Sequence, residues 1–507
     1  MKRIFTSRYY LLFMCTFLSM GGTVQAQSLK DDVSIIAADH DLMGGIVMVY
    51  CSNENIEVIP FGLADLERNI KVTDSTAFRI ASISKTITAI AIMQLVEGGD
   101  IDLDTDASDY LGFDLKNPNY PTKHITTRML LSHRSTIFDG PTYSSFLSNA
   151  YNANPIPPIS DLLQDGGAYY TTQQFNNTEP GKYFQYANIN YGILGTIVEA
   201  VSGERFDEYV LNHIMIPLGL QGSFNVNHIE NIDNVAVLYR KQNGVWVPQV
   251  DNYQGVQPVF NNLDSYTIGS NGARFGPQGG LRISGKDLAK LFRLFLNEGT
   301  VDGTQILNSE SIQSMMNPEW TYNGSNGNNY YGLFNSWGLG IHISTNTNNS
   351  DEVLEALPPM LGHPGEAYGL VSDAYVSPEN NLGIIFMTNG NGSGYTTGNS
   401  SVFYTVEKEI FNAINSYDFP LTCQLSSISD FPIKEVDLFP NPVDSVLMIE
   451  SLGTIEGKAL IYDLQGKLIL SQNITDGKAI YGLDQLKAGT YFVQLENQQA
   501  LYRFIKK

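Results

Sequence analysis

The chain has 507 residues, enough for a large core and a second domain. Its formal net charge is −22 with only 16% charged residues. That acidic, lightly charged balance argues against a nucleic-acid-binding surface, which needs clustered Lys and Arg on one face.

Residues 1–26 read as a secretory signal peptide: Lys2, Arg3 and Arg8 make a basic start, residues 11–20 are apolar, and Val24-Gln25-Ala26 offers small residues where a signal peptidase reads. The apolar stretch is short for a bilayer anchor. Cys15 leaves with this segment. Cys51 and Cys423 remain, and an oxidising destination permits one disulfide. The seven histidines are scattered singly, without an H-E-x-x-H or a Cys/His ladder, so no metal and no other cofactor is expected.

Residues 45–50 and 56–63 predict adjacent strands, rich in β-branched residues. The run FRIASISKTITAIAIMQLVEGGD at 78–100 follows, with an apolar helix over 83–96 stopped by Gly98-Gly99. A helix apolar on most faces belongs in a core. Ser82 and Lys85 stand at its head, three residues apart, so their side chains project from one face. A lysine that is partly neutral can take the proton of a serine and make it a nucleophile, and a helix N-terminus offers N–H groups to an oxyanion. S-x-x-K also occurs by chance about once or twice in a chain of this length.

Residues 102–110 read as an acidic loop and 125–133 as the start of another helix. From 135 to 180 the pattern breaks into Pro, Gly, Asn and Tyr, and a long loop or lid is expected. Tyr186-Ala187-Asn188 precedes a helix closed by Gly203. A hairpin is expected around 239–250, then helices at 285–297 and 309–316. Residues 337–344, 368–376 and 382–388 predict three strands, and 401–414 an amphipathic helix. Strands at both ends of the unit with helices between predict an α/β fold around one antiparallel sheet closed by the two ends of the unit. After a linker at 419–433, residues 434–507 show short alternating strands with turn signals, the spacing of a small β-sandwich.

The catalytic unit, set at 28–418, resembles the serine β-lactamase and penicillin-binding-protein superfamily, in the branch of class C β-lactamases, D-alanyl-D-alanine carboxypeptidases, D-aminopeptidases and related esterases. Three motifs carry the resemblance in order: Ser82-Ile83-Ser84-Lys85, Tyr186-Ala187-Asn188 and His363-Pro364-Gly365. Leu130-Leu131-Ser132-His133 and Gly279-Gly280-Leu281 support it. The resemblance implies a β-lactamase-like fold with a helical subdomain. It implies that Ser82 forms an acyl-enzyme and that Lys85 and Tyr186 share the proton work, with the Lys85 cation lowering the Tyr186 pKa. It places Asn188, His363, Gly365 and Glu366 at the substrate, the Ser82 and Glu366 N–H groups forming the oxyanion hole.

Two positions depart from the pattern. His363 stands where β-lactamases carry the Lys of Lys-Thr-Gly, which helps hold a substrate carboxylate, and this points towards the peptidase and esterase members. Arg134-Ser135-Thr136-Ile137 stands where relatives usually have Ser-Gly, and Thr136 tolerates a positive φ poorly.

Residues 434–507 resemble the C-terminal sorting domain of type IX secretion, through Leu438-Phe439-Pro440-Asn441-Pro442, Ile461-Tyr462-Asp463-Leu464-Gln465-Gly466-Lys467, Leu486-Lys487-Ala488-Gly489-Thr490-Tyr491 and the basic end Arg503-Phe504-Ile505-Lys506-Lys507. A carbohydrate- or protein-binding sandwich is the alternative. The reading as a whole is an exported serine hydrolase, on the surface or in the medium, acting on a small-molecule or peptide amide or ester, with the type IX secretion machinery as partner. A catalytically silent binding protein of the same fold and a true β-lactamase stay open as alternatives.

Overall fold

The computed structural model describes residues 28–260, 262–346, 350–355, 357–398 and 401–417, and in the C-terminal segment 436–439, 442–451, 457–463, 467–474, 478–495 and 501–507. Residues 1–26, the segment 419–433 and Cys423 lie outside them. The chain opens with α1 (Leu29–Asp39), β1 (Gly44–Tyr50), β2 (Asn55–Asp65), β3 (Ile70–Lys71) and β4 (Ala77–Arg79). Helices α2 (Ser84–Glu97), α3 (Ser108–Leu111), α4 (Thr127–Leu131), α5 (Tyr143–Asn152), α6 (Ser160–Leu163), α7 (Asn188–Ser202), α8 (Phe206–Val210) and α9 (Ile216–Leu218) come next. A hairpin of β5 (Leu238–Gln242) and β6 (Val245–Val250) is followed by β7 (Arg282–Ser284), α10 (Gly285–Leu296), β8 (Thr300–Val301), β9 (Thr304–Gln305) and α11 (Ser309–Met316). Strands β10 (Trp320–Thr321), β11 (Ser336–Trp337), β12 (His342–Ile343), β13 (Leu361–Ala367), β14 (Leu370–Ser377) and β15 (Leu382–Thr388) lead to α12 (Thr405–Asn415).

One antiparallel sheet organises this unit, in the order β10-β11-β12-β13-β14-β15-β1-β2-β3. Its two chain ends meet at β1 and β15, with Gly45 opposite Thr388 and Tyr50 opposite Gly383. The period of two along β1 sorts side chains between two cores. Ile46, Met48 and Tyr50 join the larger core, while Val47 and Val49 join the smaller one with Leu29 and Val33 of α1 and Ile410 and Phe411 of α12. Helix α2 runs through the larger core, buried at every position from Ser84 to Met93.

Three sequence expectations change. The stretch 135–180 is not a structureless loop. It contains α5, whose Tyr143, Phe146 and Ala150 are buried at helical spacing, and α6. Residues 337–344 form two short strands rather than one, because the chain turns at Gly340 (φ 77°) and its carbonyl accepts a bond from the Thr86 hydroxyl of α2 at 3.0 Å. The His363-Pro364-Gly365 motif lies inside a strand, β13, where Gly and Pro had hidden the extended run.

In the C-terminal segment β16 (Val436–Phe439), β17 (Val446–Ser451), β18 (Gly457–Tyr462), β19 (Leu468–Ile474), β20 (Lys478–Gly482), β21 (Gly489–Leu495) and β22 (Leu501–Lys506) form two sheets, β16-β17-β20 and β19-β18-β21-β22. They share one core that includes Leu447, Ile449, Ile461 and Val493.

Gly365 couples the sheet to the serine. A Cβ there would lie 2.3 Å from Ser372 Oγ and 2.7 Å from the Ile80 carbonyl, two residues before Ser82. Gly365→Ala is therefore expected to lower stability by about 1–3 kcal/mol. Urea denaturation reads this directly, and an unchanged midpoint would contradict the contact.

Candidate active site

Strand β4 pairs with β7, with Phe78 opposite Ile283, and delivers the chain to a single 3₁₀ turn, Ala81–Ile83, that runs into α2. Ala81 holds a φ of 47°, an uncommon conformation for a residue with a Cβ. Ser82 is half-buried at the mouth of the turn, and Lys85 lies one helical turn behind it, fully buried.

Lys85 Nζ donates to Ser82 Oγ at 3.0 Å, to Asn188 Oδ1 at 2.9 Å and to the Gln278 carbonyl at 2.7 Å. Burial draws the Lys85 ammonium down to about 7, with the Asp139 carboxylate working in the opposite direction. Asp139 also positions Asn188. It accepts from the Asn188 side chain at 2.8 Å and from the Asn188 and Ile189 backbone N–H groups at 3.2 and 2.9 Å, satisfying donors that α7 leaves open. Neither Asp139 nor the Gln278 carbonyl was read from the sequence. Both reach the site from distant segments, and no local pattern marks them.

The Tyr186 ring lies against Phe334 (centroids 5.1 Å apart) and His133 (4.4 Å), and edge-on to Trp337. Lys85 Nζ stands 4.8 Å from its centroid. The expectation that Lys85 lowers the Tyr186 pKa fails. Burial pushes the phenol well above its ordinary value and outweighs a hydrogen bond with Ser82 that acts the other way. The same burial lowers the charge that Lys85 would have offered.

His133 takes a supporting place. Its Nδ1 accepts the Ala187 N–H at 3.2 Å, and burial, with Lys85 and His363 nearby, holds its pKa well below the ordinary value. Thr136 does adopt the positive φ it was expected to resist, 71°, with its hydroxyl accepting from Asn117 Nδ2 at 2.8 Å.

His363 is fully buried on β13, its Nδ1 2.5 Å from the Pro364 carbonyl and its Nε2 3.5 Å from the Tyr186 hydroxyl. A proton on Nδ1 leaves Nε2 to accept from Tyr186. Burial, followed by the Lys85 charge, holds its pKa well below the ordinary value, so the ring is neutral near pH 7.

A cavity of about 460 Å³ joins Ser82, Tyr186 and Asn188 to His363, Gly365 and Glu366. Tyr330, Phe334, Tyr404 and Glu407 close its other side. The Glu366 side chain is exposed and accepts a hydrogen bond from the Tyr404 hydroxyl.

Residues 29–401 match the family model described as Beta-lactamase, and residues 437–507 match the secretion system C-terminal sorting domain. The chain belongs to the beta-lactamase family. Among relatives it is similar to penicillin-binding protein 4 of Amycolatopsis lactamdurans, 24% identical over 70% of this chain and 83% of that one. It is also similar to protein flp of Staphylococcus aureus (strain MRSA252), 25% identical over 65% of this chain but only 56% of that one. Solved structures with this fold include the octameric penicillin-binding protein homologue from Pyrococcus abyssi, with a TM-score of 0.57 and 20% identity over 94% of this chain and 99% of that one. They also include D-amino acid amidase from Ochrobactrum anthropi SV3 complexed with D-phenylalanine, with a TM-score of 0.53 and 18% identity over 77% of this chain and 99% of that one. A third is EstCE1, a hydrolase with promiscuous acyltransferase activity, with a TM-score of 0.53 and 20% identity over 77% of this chain and 99% of that one. The fold is thus shared with a D-amino acid amidase and with a hydrolase that has promiscuous acyltransferase activity.

Beneath β13 lies a second titrating feature of this beta-lactamase-family unit. Asp373 of β14, opposite Pro364, is fully buried, and burial together with the Glu407 carboxyl holds its pKa well above the usual carboxylate range. Burial pushes Glu407 up as well. Both groups hold protons in the folded chain at pH values where the unfolded chain releases them, so the pair's contribution to stability is full below about pH 4 and is lost progressively as pH rises above it. Glu407→Gln is expected to flatten that fall. Melting temperatures compared between pH 5 and 8 test it, and parallel curves for the two proteins would count against the buried carboxyl pair.

Proposed function

We propose that this protein is an exported serine hydrolase that cleaves an amide or ester through an acyl-enzyme on Ser82. The observation that carries this reading is the 3.0 Å contact between Ser82 Oγ and Lys85 Nζ, with Lys85 drawn to about 7 by burial. A lysine at that value is a base for a substantial fraction of molecules at neutral pH.

In acylation the neutral Lys85 amine takes the Ser82 proton as Oγ attacks the substrate carbonyl. The Ser82 and Glu366 backbone N–H groups hold the oxyanion. Tyr186, kept protonated by burial, hands its proton to the departing amine or alkoxide and recovers one from the water that attacks the acyl-enzyme, while the Lys85 ammonium returns its proton to the Ser82 oxygen as the ester bond breaks. Water then attacks the acyl-enzyme with the same groups acting in reverse. Asn188 fixes Lys85, and the neutral His363 orients the Tyr186 hydroxyl. A neutral imidazole in the third motif offers no positive charge to a β-lactam carboxylate. This favours an amidase or esterase, in keeping with the D-amino acid amidase and EstCE1 folds.

We assign residues 28–418 to the hydrolase, 419–433 to a linker and 434–507 to the sorting domain. The match at 437–507 supports delivery to the cell surface or medium through the type IX machinery, with 1–26 as the signal for the first membrane.

Ser82→Ala is expected to reduce turnover of a chromogenic acetate ester by at least about 10⁴-fold, and undiminished turnover would reject the mechanism. For the unmodified protein, kcat/KM for an uncharged ester should rise with pH through about 7 as Lys85 loses its proton. Asp139→Asn removes the carboxylate that favours the ammonium, so the rising limb should move to lower pH. A limb that stays in place or moves upward would show that Asp139 does not act on Lys85.

A further inference from the structure

A second cavity, of about 570 Å³, has Arg79, Arg274, Arg282, Tyr151, Asn225 and Asn262 among its walls. Its charges do not balance. Asp251 accepts from Arg79 Nε and Nη2 at 2.9 and 2.8 Å and from Arg282 Nη2 at 2.8 Å. Burial works against its ionisation, yet these two guanidinium groups hold the Asp251 carboxyl well below the usual range. One carboxylate therefore serves two of the three arginines.

Arg274 has none. Only 7% of it is exposed, and among the described residues its one hydrogen bond is from Nη2 to Asn262 Oδ1 at 3.4 Å. Its Nε has no partner, and neither does Arg282 Nε. The guanidinium lies instead over the rings of Phe260, Tyr151 and Phe275, at 5.1, 5.8 and 6.0 Å. Asp207, whose charge acts on Arg274, is already engaged by Arg205 at 2.8 Å. Burial accordingly lowers the pKa of Arg274. In a chain of net charge −22, three guanidinium groups against one carboxylate leave a local surplus of two positive charges at this wall.

The cavity is tied to the reaction centre by short connections. Arg79 lies three residues before Ser82 and pairs in register with Arg282. Gln278 accepts Lys85 Nζ on its carbonyl and extends its side-chain Nε2 to the Tyr151 hydroxyl, 3.5 Å away on the cavity wall.

We propose that this second cavity is a subsite for a carboxylate carried by the substrate, with Arg274 as its principal ligand. The inference rests on the hydrolase reading above for its place in catalysis. Aromatic rings lie against the Arg274 guanidinium and its Nε has no partner, so an acceptor in its plane, which a carboxylate supplies with two oxygens, would complete it. Arg282 adds a second donor edge, and the surplus charge is offset on binding.

The first test uses Ser82→Ala protein, which binds without consuming. Succinate is expected to raise its melting temperature and to give a calorimetric isotherm, while succinamide does neither. Adding Arg274→Met, or Arg274→Gln should the first variant not fold, is expected to abolish the succinate response. In the active protein, p-nitrophenyl hemisuccinate and hemiglutarate esters should exceed their methyl-capped counterparts in kcat/KM by about tenfold. Either Arg274 variant should bring that ratio to about one. The subsite is overturned by no response to succinate, by a response that persists in both Arg274 variants, by phosphate binding where succinate does not, or by a ratio of one in the unmodified protein. Succinate binding in a protein that turns over no ester would support the subsite and count against the Ser82 mechanism alone.

Discussion

Lys85 Nζ donates to three oxygens from three separated segments: the serine turn, the first residue of α7 and the loop that carries Gln278. A buried cation without these acceptors would cost several kcal/mol, and none of the three is a carboxylate that could offset its charge directly. The surrounding chain is arranged to deliver them. On the same side of α2, Ser84 Oγ accepts the Leu281 N–H at 3.1 Å and Thr88 Oγ1 donates to the Pro277 carbonyl at 2.8 Å. Together with Lys85, these contacts fix the 277–281 segment against the helix. Asp139 does the corresponding work at the start of α7, where it holds Asn188 by backbone and side chain at once. Burial reduces the charge on Lys85 against the pull of Asp139, and the contacts aim the amine at one hydroxyl.

The same burial explains why Tyr186 behaves differently from Lys85. Low polarity disfavours the ammonium and the phenolate alike, so it pushes the two pKa values in opposite directions, leaving the phenol neutral and the amine neutral in a substantial fraction of molecules near pH 7. A base and an acid of different strength then face one serine. Their separation is produced by a shared environment rather than by mutual attraction. The aromatic cluster of Phe184, Trp337, Phe334 and His133 supplies that environment. Backbone strain gathers around it: Ala81, His133, Thr136, Tyr330 and Tyr331 all hold positive φ. Such conformations cost about 1–3 kcal/mol each and persist where packing over-determines them. Thr136 shows how this is done, because its hydroxyl is anchored by Asn117 from a distant segment.

Much of the fold was legible because its signals are local. The apolar run of α2, the Gly203 stop of α7 and the β-branched composition of β1 and β15 each declare an element within a dozen residues. Helix α5 was missed: Tyr143, Phe146 and Ala150 keep helical spacing, but the Pro- and Gly-rich residues around it masked it. Strand β13 was not legible, since Gly362 and Gly365 are there for close approach and, with Pro364, carry no strand propensity. At the candidate site, residue types and order pointed to Ser82, Lys85 and Tyr186. The reversal of the Tyr186 shift depends on how deeply the ring is buried, and Asp139 on a contact across 49 residues of chain. Neither quantity has a sequence signature.

His363 and the arginine cavity belong to one electrostatic argument. In the β-lactamase pattern a lysine in the third motif supplies the positive charge that meets a substrate carboxylate. Here that position holds an imidazole kept neutral by burial and by the neighbouring Lys85, so β13 presents polarity without charge. A cation restored at 363 would stand close to Lys85 and Tyr186, and its field would further depress the lysine that must act as base. In the arginine cavity, whose lining residues differ from those around Ser82, that penalty is reduced. The three arginines face a separate cavity, two of them are already partnered by Asp251, and Gln278 intervenes between that wall and Lys85. Under the proposed hydrolase reading, positive charge placed there would attract an anion without further depressing the lysine that burial already draws down to about 7.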